Sequence, residues 1–127
     1  MSTVDIFRSS MERGDIESLH GTLSPGVTLH SPVLFKPFVG VDSVSAVLSA
    51  VVRVLATLRY TNLMEGESTS ALRFTAHIED REVGGIDLLD FDHEGKISHI
   101  TVFMRPLSAI NEFSAGMGRM LGADPGW

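Results

Sequence analysis

From Leu58 to Arg105 the chain repeats one pattern four times, and that repetition limits the fold more than anything else in it. LRYTNLME, SALRFTAHIE, REVGGIDLLDFD and KISHITVFMR read as strands separated by short polar segments, including EDRE and DHEG. Alternation is clear in SALRFTAHIE and KISHITVFMR, while REVGGIDLLDFD carries Val83, Leu89 and Phe91 on one side and Ile86 and Leu88 on the other, so both its faces look covered. A period of two is the signature of a strand with one buried face. Strands joined by such short turns pair as an antiparallel meander. Just upstream the period is 3.6 instead: Val44, Val47, Leu48, Val51 and Leu55 form one apolar stripe, with Asp42 placed as an N-cap. A helix with one greasy face followed by a run of four strands predicts an α+β domain, helices packed on one side of a curved antiparallel sheet.

The remaining segments fit that plan. Val4, Phe7 and Met11 recur at helical spacing up to Gly14; Asp15 can cap a second helix carrying Ile16, Leu19 and Leu23, which SerProGly at 24–26 should stop. VTLHS is a short strand ended by Pro32, and PVLFKPFVG reads as an irregular loop. Leu107, Ile110 and Met117 predict a closing helix. Residues 1–127 therefore read as a single domain, the size expected for one core. Alternation points Leu72, Phe74, Ala76 and Ile78, and Ile100, Val102 and Met104, toward the helices.

Charge and composition exclude several functions. The net charge is −6, and Lys36 and Lys96 are the only lysines, so no nucleic-acid partner is expected. The stretch AVLSAVVRVLATL is interrupted by Arg53 and falls short of a membrane span, and the N-terminus has no signal-peptide core. No membrane partner is expected, and a soluble cytoplasmic protein is the default. There is no cysteine. Asp90, Asp92, Glu94 and Gly95 echo a calcium loop, but its twelfth position would be Thr101. Gly116 and Gly118 lie in a helical segment, not after a strand. The histidines lack metal-ligand spacing, so neither metal nor cofactor is expected.

The element order, GlyAspIleGlu at 14–17, SerPro at 31–32 and the turn Phe91-Asp92-x-x-Gly95-Lys96-Ile97 together resemble the nuclear transport factor 2-like superfamily. Ketosteroid isomerases, SnoaL-type polyketide cyclases and limonene epoxide hydrolases belong to that group. The resemblance spans residues 3–121 and implies a cone: a curved sheet wrapped around N-terminal helices, an apolar pocket at the open end, and a homodimer through the outer sheet face. It transfers function unevenly. Where the ketosteroid isomerases carry a base before the strand-ending proline, this chain has Ser31; where they carry a first-helix tyrosine, it has Phe7. Their third element, an aspartate four residues before the turn phenylalanine, matches Asp87. The aspartate that the epoxide hydrolases need in the last strand is Val102 here. What the resemblance implies is SnoaL-type acid/base chemistry on a small hydrophobic carbonyl compound, such as a cyclisation, isomerisation or dehydration.

The residues themselves single out Asp87, a carboxylate between Ile86 and Leu88 in an otherwise apolar strand. Burial penalises its charged form and prepares it to protonate an oxygen; the alternative is a structural acid tied to a nearby donor. His30 is the second catalytic candidate, a neutral-pH base if a bulge turns it inward, a surface residue if alternation holds. Ser31, Tyr60, Asn62, Phe7, Phe35, Val102 and Met104 are the expected pocket residues. The competing reading is a non-catalytic ligand-binding or dimerisation module. A cavity of a few hundred cubic ångströms at Asp87 would favour chemistry, and a cone plugged by Phe7, Phe35, Phe38 and Met104 would favour the module.

Overall fold

The structure is a computed structural model in which residues 2–122 are described. Helix α1 (Thr3–Arg13) opens on Ser2, whose hydroxyl accepts the Asp5 N–H, and closes on Gly14 in the left-handed region at φ 69°. It buries Val4, Phe7, Ser10 and Met11. Asp15 caps the short α2 (Ile16–His20) as its spacing predicts. Leu23 does not belong to that helix. It starts β1 (Leu23–His30), four residues earlier than VTLHS suggests. The register against the neighbouring strand shifts between Leu23 and Thr28, so a bulge absorbs Pro25 and Gly26 at the surface.

The loop through the two prolines yields only the two-residue β2 (Phe38–Val39). Helix α3 (Val41–Val54) begins at Gly40, which makes no side-chain cap, so Asp42 is a first-turn acid and not the N-cap its sequence position suggested. It favours the helix dipole instead. The four alternating segments form β3 (Ala56–Glu65), β4 (Thr69–Ile78), β5 (Arg81–Phe91) and β6 (Ile97–Arg105), and α4 (Leu107–Leu121) closes the described chain. Helix α4 turns Ala109, Phe113, Gly116 and Met117 inward and leaves Leu107 71% exposed. No helix among the described residues is long and apolar enough to cross a membrane.

The sheet runs in the order β2-β1-β6-β5-β4-β3. All pairings are antiparallel except β1 with β6, which is parallel, so the sheet is mixed where the meander alone suggested an antiparallel one. The meander cannot reveal this, because β1 reaches β6 only after the intervening helix and four strands have folded back. One face carries the core: Leu72, Phe74, Ala76, Ile78, Val83, Leu89 and Ile100 are all buried against the helices. The opposite face is half covered at Ile86 and Leu88 and open at Phe103, 55% exposed. The DHEG segment is a plain turn. Asp92 accepts the N–H groups of Glu94 and Lys96, and Gly95 takes φ 80°.

Gly85 is where the sheet most needs a missing side chain. It pairs with Phe74 on one side and Met104 on the other. A Cβ there would collide with the Phe103 carbonyl oxygen and come within 2.6 and 2.8 Å of the Phe74 ring. Backbone cannot yield as a flexible side chain can. Gly85→Ala is therefore expected to destabilise the fold by about 1–3 kcal/mol, measured by urea unfolding. Gly84→Ala, whose nearest neighbour would be 3.7 Å away, should cost less.

Candidate functional site

The concave face of the sheet and the helices enclose a small cavity. Its wall comes from α1 (Met11), β1 (Leu29), α3 (Val47, Leu48, Val51), β4 (Phe74), β6 (Val102, Met104) and α4 (Phe113, Met117), with polar groups only at Ser31, Tyr60 and Asp87. The volume is about 20 Å³, room for one water. The cone is largely filled. Of the plug the sequence suggested, Met104 lines the space that remains, beside Phe113 and Met117, and Phe7, Phe35 and Phe38 do not. Phe7 is fully buried but packs behind Tyr60, with ring centroids 6.4 Å apart, and does not line the cavity.

Asp87 reaches this cavity from the centre of β5, only 5% exposed. Tyr60 reaches it from β3, two strands away, and its hydroxyl donates to Asp87 Oδ2 at 2.7 Å. Among the described residues that is the one hydrogen bond of the Asp87 side chain. Burial pushes the Asp87 carboxyl up to about 6 from the ordinary 3.8, and the Tyr60 hydrogen bond pulls weakly the other way. Tyr60 is driven up as well, by burial and by the neighbouring carboxylate, so it stays a donor. Phe74 meets the Tyr60 ring edge-on at 6.2 Å and 75°, holding the phenol between two aromatic faces.

The other expected site residues divide. Ser31 lines the cavity, but its Oγ accepts the N–H groups of Val33 and Leu34 at 3.2 and 2.9 Å. Val102 and Met104 line it as alternation predicts. His30 does not: it pairs with Thr101 at the end of β1 and lies outside the lining, where strict alternation puts it. Asn62 is exposed on the edge strand, and Phe35 is 99% exposed on the loop after β1. Both lie outside the cavity. Phe35 follows a turn fixed by Ser31, so its sequence neighbourhood of apolar residues carries no information about where its ring points.

With this geometry in view, the relatives can be placed. Among solved structures the chain is similar to an uncharacterised protein conserved in bacteria, with a cystatin-like fold, from Silicibacter pomeroyi: TM-score 0.92 at 27% identity, covering 96% of this chain and 86% of that one. It is similar to a steroid delta-isomerase from Pseudomonas aeruginosa: TM-score 0.90 at 30% identity, covering 95% and 90%. A de novo designed protein with a curved β-sheet shares the fold at TM-score 0.75 and 15% identity, covering 96% and 93%. No protein-family model matches the chain, and no curated protein sequence does. The chain belongs to the nuclear transport factor 2-like superfamily.

The raised carboxyl makes a stability prediction with a definite sign. Below about pH 3 the acid is protonated in both folded and unfolded chains and carries no penalty. As pH rises toward about 6 the unfolded chain releases its proton first, so Asp87's contribution to stability falls across that window and stays low above it. Asp87→Asn should lose this component and gain about 1–3 kcal/mol over the parent at pH 7.5, with the gain gone at about pH 3. Urea unfolding of both proteins at the two pH values checks it. Tyr60→Phe should move the Asp87 carboxyl further up, since the bond it removes favours the charged form. It should also cost about 1–2 kcal/mol at neutral pH.

Proposed function

We propose that the cone binds a small, uncharged hydrophobic molecule through one oxygen atom and acts on it as a general acid. The observation that carries this reading is the Tyr60–Asp87 hydrogen bond, 2.7 Å long, at the polar end of an otherwise apolar cavity. A carboxyl held up to about 6 keeps its proton in weakly acidic solution and can donate it to a carbonyl oxygen. As the proton leaves, Tyr60 stabilises the carboxylate that remains. Among the described residues, Asp87 and Tyr60 are the only titratable groups lining the cavity. Tyr60 is held as a donor, so the Asp87 carboxylate must also take back the proton that the substrate gives up. That restricts the chemistry to reactions in which one group can serve both steps: tautomeric isomerisation, dehydration or cyclisation of a small carbonyl compound.

The similarity to a steroid delta-isomerase makes isomerisation the natural comparison. Ser31 and Phe7, at the positions where the resemblance implies a base and a donor, supply neither role, so steroid isomerisation by that route is not proposed. Entry of any substrate requires the wall to move. Met11, Met104 and Met117 suit that movement, because unbranched thioether side chains change rotamer at little cost.

The second reading is a binding or dimerisation module with a permanently filled cone, and the volume of about 20 Å³ favours it. On either reading we propose a homodimer through the outer sheet face, where Phe103 is exposed beside Ile86 and Leu88. Titrating the protein with cyclohexenone and phenol, followed by amide NMR, separates the two readings. Ligand chemistry predicts shifts at Tyr60, Asp87, Val102 and Met117, with binding about tenfold weaker at pH 8 than at pH 5, and none in Asp87→Leu. Shifts absent at every lining residue, at both pH values, would leave the filled module.

A further inference from the structure

Strand β3 is an edge of the sheet, so every second residue on it presents a backbone N–H and C=O with no strand to pair with. Tyr60 is one of these, and both of its backbone groups are satisfied by side chains of α1. The Tyr60 N–H donates to Glu12 Oε2 at 2.8 Å, and Arg8 Nη2 donates to the Tyr60 carbonyl at 3.1 Å. Arg8 and Glu12 are one helical turn apart, the spacing that puts two side chains on one face. Both are half-buried. The ladder itself leaves this residue loosely fixed, because the β3–β4 register slips between Tyr60 and Asn62.

We propose that Arg8 and Glu12 are positioning residues for the cone: they grip the backbone of Tyr60 from both sides and so hold its hydroxyl on Asp87. Neither side chain lines the cavity. They act on Asp87 only through Tyr60, by fixing where the strand that carries the phenol lies. Around Asp87 the cavity is lined by Tyr60 from β3, by Ser31, whose hydroxyl is taken up by the Val33 and Leu34 N–H groups, and by apolar side chains from α1, α3, α4, β1, β4 and β6, so among the described residues no second charged group lines it. The grip is independent of what fills the cone, and its test needs no ligand.

The test measures the titration midpoint of the Asp87 carboxyl carbon and the exchange protection of the Tyr60 amide, by NMR on the unliganded protein. Glu12→Ala and Arg8→Met should each raise the midpoint by about half a pH unit or more, in the same direction as Tyr60→Phe. Glu12→Ala should also lower Tyr60 amide protection about tenfold or more. Glu12→Gln removes the charge but keeps an oxygen acceptor, so it should retain the parent midpoint and protection. Two results would overturn the proposal: unchanged midpoints in both Arg8→Met and Glu12→Ala, or a Glu12→Gln shift as large as that of Glu12→Ala. If Glu12→Ala does not fold, Arg8→Met and Glu12→Gln decide the matter between them.

Discussion

The absence of a side chain at Gly85 is the constraint on which both the fold and the site depend. The bare backbone lets the Phe74 ring lie over β5, and the Phe103 carbonyl closes in from the other side. Phe74 then stands edge-on to Tyr60, and Tyr60 reaches Asp87 past it. An aromatic lying on a strand glycine compensates for the packing that the glycine forgoes. Here the glycine also leaves the Phe74 ring room on the concave face, where that ring stands against Tyr60.

Most of the architecture was legible because it rests on local periodicity. The four strands fall where alternation puts them, and Leu72, Phe74, Ala76 and Ile78 face the core as expected. The failures have physical causes. Leu23 continues the apolar spacing of α2, yet it pairs with Ile97 more than seventy residues later, a long-range contact that no local pattern encodes. Asp42 has the chemistry of an N-cap, but α3 starts two residues earlier from a glycine whose φ of 95° suits the turn. The parallel β1–β6 pair is likewise a product of tertiary closure.

The site was legible only in part. Asp87 announces itself as a carboxylate in an apolar strand, but with apolar residues on both faces of that strand alternation alone does not say which way it points. Its partner does not. Tyr60 and Asp87 are separated by a whole intervening strand and do not lie opposite each other in register: Tyr60 faces Phe74, and Asp87 faces Leu72. Only a side chain as long as tyrosine spans that gap. Asn62 shares a strand with Tyr60 and was expected to share its cavity, but the register slip between them leaves it exposed. Arg8 and Glu12 carry an ordinary helical spacing that a surface ion pair would equally produce. Nothing in the sequence marks them as holding an edge strand.

Asp87 is a buried acid that keeps its proton well into the range where an ordinary aspartate has lost it. Apolar walls raise the carboxyl, and one phenol hydrogen bond is too little to bring it back down. A carbon-13 NMR titration of the Asp87 side-chain carboxyl in the parent protein tests this most directly. The expected result is a single transition with a midpoint near 6. A midpoint at the ordinary aspartate value, near 3.8, would mean that solvent or an additional donor reaches the carboxylate, and would contradict it.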